Sequence, residues 1–87
     1  MSYTVTFLPS ARRELAALPK DGQRRLANRI DGLREDPRPP GAKQLQVEDR
    51  LYRLRVGDYR VIYSIENRRL VILVVRVGHR RDVYRKR

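Results

Sequence analysis

The chain contains no cysteine, which excludes disulfides and thiolate metal sites alike. No apolar run approaches the roughly 20 residues that a membrane span requires. Residues 1–7 lack the charged-then-apolar order of a secretory signal. Histidine occurs once, at position 79, and paired carboxylates and histidine clusters are missing, so the sequence suggests neither a metal nor any other cofactor. These absences fit a reducing compartment, and the expectation is a cytoplasmic protein with no membrane association. The 87 residues, 40% of them hydrophobic, suffice for one modest core and a single domain, 1–87.

What the chain has in excess is positive charge. The formal net charge is +11, and 18 of the 21 basic residues are arginine. Residues 1–49 carry nine basic and seven acidic side chains, whereas residues 50–87 carry twelve and three. An arginine-rich coding bias accounts for arginine over lysine but not for this asymmetry. A localised basic face points to a polyanion or an acidic protein partner. The guanidinium fork suits phosphate because it donates two parallel hydrogen bonds.

Periodicity supplies the frame. Residues 2–7 alternate and are rich in β-formers, so they read as a strand with Tyr3, Val5 and Phe7 facing a core. Pro9 and Ser10 open a helix, with Ser10 the expected N-cap, and Leu8, Ala11, Leu15 and Leu18 form its apolar stripe. Leu26, Ile30 and Leu33 mark a second helix between Lys20 and Glu35, which Asp36-Pro37 stops because the residue before proline leaves the helical region. Residues 38–42 are a loop by composition, and 43–47 a short edge strand. From Leu51 the period falls to two. Gly57-Asp58 signals a hairpin turn, residues 59–66 the next strand, Asn67-Arg68 a second turn, and residues 70–75 a central strand ended by Gly78. The predicted fold is α+β, in the order β-α-α-β-β-β, with a two-helix antiparallel hairpin on one face of an antiparallel sheet.

A two-residue turn at Gly57-Asp58 sets Val56 opposite Tyr59, Arg55 opposite Arg60 and Leu54 opposite Val61. Like charges directly opposite each other destabilise a sheet. Arg53 lies two residues along on the same, solvent-facing side. These arginines are either solvated and splayed apart or a cradle for phosphate. The tail that follows brings His79, Arg80, Arg81 and Tyr84. Tyr84 is a candidate for stacking on a base or a cap on the core, and His79 is a candidate base or a structural residue.

The run Leu51-Tyr52-Arg53-Leu54-Arg55-Val56-Gly57-Asp58-Tyr59-Arg60-Val61-Ile62-Tyr63, followed by Val77-Gly78-His79-Arg80-Arg81-Asp82-Val83-Tyr84, resembles the RelE/ParE toxin superfamily, and the likeness extends over nearly the whole chain. The resemblance implies a RelE-type toxin of a type II toxin–antitoxin system, which cuts mRNA in the ribosomal A site and is silenced by a cognate antitoxin. It implies RNA contacts at Arg53, Arg55 and Arg81, and catalytic roles for Arg60, Arg80 and Tyr84, with His79 in reserve. Some relatives have lysines where this chain has Arg53 and Arg55. Arginine stays protonated, so the general base implied here is Tyr84 or His79. RNA carries its own nucleophile, the 2′-hydroxyl, so the implied cleavage requires no metal. Two other functions remain compatible: a ParE-like toxin that inhibits DNA gyrase, sharing the fold, and a non-catalytic module whose arginines only grip RNA or the ribosome.

Overall fold

The computed structural model describes residues 2–45 and 50–79. Seven elements follow one another: β1 (Thr4–Phe7), α1 (Pro9–Ala16), α2 (Lys20–Gly32), β2 (Lys43–Gln44), β3 (Leu51–Val56), β4 (Tyr59–Glu66) and β5 (Val71–His79). The strands form one five-stranded sheet in the order β1-β5-β4-β3-β2. β1 runs parallel to β5, and every other neighbouring pair is antiparallel. The helices cover one face, as the narrow apolar stripes require. Ala11, Leu26, Ile30 and Leu33 from the helical segment meet Leu54, Val61, Tyr63, Ile65, Ile72, Val74 and Val77 from the sheet in one buried cluster. Tyr3, Val5 and Phe7 pack on its margin.

Three local readings of the sequence are corrected. Ser10 does not cap α1: Leu8 is the N-cap, without a side-chain bond, and proline occupies the start of the first turn. Proline suits that position because its fixed φ is helical and its missing N–H would have no helical partner. The Leu8 N–H instead donates to the Val74 carbonyl at 3.0 Å, so strand pairing runs up to the helix. Gly78 does not end β5, which continues through His79, because β4 keeps pairing as far as Tyr59↔His79. Leu70 belongs to the turn, with φ of 57°. A left-handed conformation costs a non-glycine residue roughly 1–2 kcal/mol.

At the C-terminal end of α1 a side chain satisfies exposed carbonyls. The Gln23 amide donates to the carbonyls of Ala16 (3.1 Å) and Leu18 (2.8 Å), tying the end of α1 to the body of α2. β5 outruns β1 past Phe7↔Val74. There Glu14 of α1 accepts from the Val77 N–H at 2.8 Å and from Arg76 Nε at 3.1 Å.

Tyr63 anchors the helix-to-sheet loop. Its side chain is fully buried, its ring stacks on Tyr52 at 5.9 Å, and its hydroxyl donates to the Pro37 carbonyl at 2.7 Å. Burial, reinforced by Tyr52, pushes the phenol up to about 12. A folded-state value above the ordinary 10 of tyrosine means the unfolded chain loses its proton first. The stabilisation is therefore complete below pH 10 and is lost as pH rises toward 12, up to roughly 3 kcal/mol. Tyr63→Phe is expected to cost about 1–2 kcal/mol at neutral pH, because the Pro37 carbonyl loses its donor. It should also flatten the fall in stability between pH 10 and 12. Denaturant titrations across that range check both effects, and an unchanged alkaline slope would contradict the assignment.

Candidate nucleic-acid interface

The sheet face opposite the helices carries the arginines. Alternation in β3 turns Tyr52, Leu54 and Val56 toward the core, leaving Leu51, Arg53 and Arg55 on the open face. The hairpin has the expected register: Val56↔Tyr59, Arg55↔Arg60, Leu54↔Val61 and Arg53↔Ile62. Gly57 makes it possible. Its φ of +61° is the conformation that the first central position of a type II′ turn demands.

The three arginines do not share one environment. Arg55 is exposed, Arg53 is half-buried, and Arg60 is only 5% exposed. The expectation that all three stand open to solvent is thus corrected at Arg60. Its position explains the difference: β4 is the middle strand of five, with Arg55 on one side and Gly78 on the other. Gly78 places no side chain beside it, so a long side chain has room to lie along the sheet, where Nε and Nη1 are buried with the stem.

A fourth cation joins from the edge. Lys43, placed by its sequence in a short edge strand without a functional role, pairs with Arg53. Gly41, Lys43, Arg53 and Arg55 line a concavity of about 260 Å³. Composition gave no means of singling out Lys43, because its proximity depends on how the 38–42 loop returns to the sheet.

His79 goes elsewhere. It pairs with Tyr59 and meets that ring edge-on, centroids 6.2 Å apart. Tyr59 packs against the core, so His79 lies on the helix side, beside Glu14, Leu18 and Arg76. The structure therefore brings Arg53, Arg55 and Arg60 together on one face and sets His79 on the other. Arg80, Arg81 and Tyr84 lie outside the described residues. Among the described residues no group of three or more His, Cys, Asp or Glu side chains is positioned to hold a metal ion. The open face also has an apolar end, where Leu51 and Leu73 flank Ser64.

Comparison with known proteins decides the family. Residues 5–84 match the family model described as ParE toxin of the type II toxin–antitoxin system. The chain belongs to the RelE/ParE toxin superfamily. It is 33% identical over 90 residues to the toxin RelG of Mycobacterium tuberculosis, covering 99% of this chain and 100% of that one. The toxin–antitoxin complex RelBE2 of Mycobacterium tuberculosis superposes with a TM-score of 0.81 and 30% identity, over 91% of this chain and 99% of that one. The archaeal RelE–RelB complex of Pyrococcus horikoshii gives 0.81 and 34%, over 92% and 97%. This chain is therefore a type II toxin of the RelE family, with two helices packed on a mostly antiparallel sheet.

The Arg55↔Arg60 juxtaposition opposes folding. Arg55→Gln is expected to raise thermal stability by roughly 0.5 kcal/mol, a few degrees in Tm. Calorimetry checks the gain. A variant that loses stability would mean that Arg55 supports the fold instead.

Proposed function

We propose that this toxin is a ribosome-dependent endoribonuclease that cleaves mRNA by attack of the 2′-hydroxyl on the adjacent phosphate. The observation that carries the reading is the register that sets Arg55 beside Arg60, with Arg53 on the same face. An arrangement that costs folding energy is understandable where an anion neutralises it. The RelE-named relatives support the same choice.

In the proposed reaction the 2′-O–H bond breaks, the 2′-oxygen bonds to phosphorus, and the P–O5′ bond breaks as O5′ takes up a proton. The fragments end in a 2′,3′-cyclic phosphate and a 5′-hydroxyl. Arg60 and Arg55 neutralise the charge that builds on the equatorial phosphate oxygens, as preorganised electrostatic stabilisation. Arg53 and Arg81 hold the flanking backbone. Arg80 binds near the leaving oxygen, and Tyr84 handles the nucleophile's proton. His79, on the opposite sheet face, is the less favoured base. The ribosome supplies in-line alignment, a large share of the task.

The partner we propose is a cognate antitoxin, since the solved relatives include RelB complexes. A segment both acidic and apolar suits a sheet face that is basic at one end and apolar at the other. The second reading, inhibition of DNA gyrase, draws on the ParE description of the matching family model.

Induction should create new mRNA 5′ ends inside coding regions, in codon register, seen by primer extension. A single 2′-deoxynucleotide at the cut position should abolish cleavage on programmed ribosomes. Intact message alongside altered DNA topology would favour gyrase instead. At equal folded yield, Arg60→Ala should lower single-turnover cleavage by ~10²-fold or more. Arg68→Ala, in the turn after β4, should stay near wild type. Tyr84→Phe keeps the ring and removes one oxygen, so ribosome binding should persist while cleavage drops about 10²-fold. Normal cleavage by that variant would remove Tyr84 from proton transfer.

A further inference from the structure

We propose that Lys43 and Gly41, with Arg53 and Arg55, form a binding site for an RNA phosphodiester at the outer edge of the sheet, and that Lys43 is a direct phosphate contact. The site extends the basic face beyond the residues that the RelE-like sequence pattern marks, and it rests on reading that face as the RNA face.

Four observations carry it. First, Lys43 is directly opposite Arg53 in an antiparallel pair, which sets the two Cα atoms about 4.5–5.5 Å apart. Second, the surface there is concave: the four residues line about 260 Å³. Third, Gly41 shapes the rim. Its φ of +96° lies where residues with a Cβ are strained, so glycine holds the bend that returns the chain to the sheet just before Lys43. Fourth, among the described residues the charged groups that line the concavity are all cationic: Lys43, Arg53 and Arg55 contribute three positive charges, a sign that suits an anion. The ammonium offers a compact charge with freely rotating donors, which suits an oxygen of a flanking phosphate. The neighbouring guanidiniums suit bidentate recognition.

An edge lysine has another common use, which is to keep an exposed strand from pairing with a second chain. The two roles differ in their response to salt. A lysine that contacts a phosphate displaces a counterion from single-stranded RNA, which adds about 0.7 to the slope of log K against log salt. A lysine that only guards an edge adds nothing to that slope.

The test uses the full chain and a fluorescein-labelled oligouridine carrying 2′-O-methyl groups, which binds but lacks the nucleophile for cleavage. Anisotropy titrations across a salt series compare wild type, Lys43→Gln, Lys43→Arg and Arg68→Gln. Arg68→Gln is the control for an equal loss of charge, in the turn at the far end of β4. Lys43→Gln is expected to lower the slope by about 0.7 and to weaken binding alike across RNA sequences. Lys43→Arg should retain the wild-type slope, and so should Arg68→Gln. An unchanged slope in Lys43→Gln, an equal drop in Arg68→Gln, or no wild-type RNA binding at low salt would each overturn the site. Matching thermal melts for the variants exclude unfolding as the cause. Because the RNA cannot be cut, a lowered slope in a protein that fails to cleave mRNA on ribosomes would sink the nuclease and leave this phosphate site standing.

Discussion

Two arginines held opposite each other across the β3–β4 hairpin are the constraint on which the rest of the molecule turns. Arg55 and Arg60 face each other because Gly57 takes up a positive φ and the turn spans two residues. A register slip of one residue would separate them, but it would also carry Leu54 and Val61 out of the core and onto the open face. Hydrophobic burial on the helix side therefore enforces charge repulsion on the other. The core, built from fully buried Leu26, Leu33, Leu54, Val61 and Tyr63, holds a basic face that would not assemble by itself.

The same division of labour shows in where each kind of partner is satisfied. Polar groups on the helix side are answered within the chain: Tyr63 by Pro37, Gln23 by the end of α1, and Arg76 by Glu14. The concavity at the sheet edge is lined by cations. A surface arranged in this way concentrates positive charge on one side of the sheet, and the fold supports it through interactions made on the other.

Much of this was legible in the sequence, for identifiable reasons. Period-two alternation from Leu51 onward and the Gly57-Asp58 turn determine the hairpin register, so the Arg55–Arg60 pairing could be anticipated residue by residue. The helical stripes at Ala11, Leu15, Leu26 and Ile30 likewise predict which face is covered. Alternation says which side of the sheet a residue occupies, not how deep it lies, and Arg60 is buried through its place in the middle strand. The parallel pairing of β1 with β5 is a long-range choice that no local pattern encodes. Proximity in sequence groups His79 with the arginines. One more residue of strand beyond Gly78 puts it on the other face. Lys43 is adjacent to Arg53 through chain return, which a linear pattern does not express.

The carboxylate of Glu14 has a consequence that reaches past the single chain. Beyond Phe7, among the described residues, no strand pairs with the outer edge of β5, and an open edge is a template on which identical chains add to one another. Glu14 reaches across from a helix, takes the Val77 N–H, and brings Arg76 with it. A single side chain thus does the work of a missing strand. It leaves a charged, already engaged margin where a second copy would otherwise dock, and so favours solubility over self-assembly at that edge.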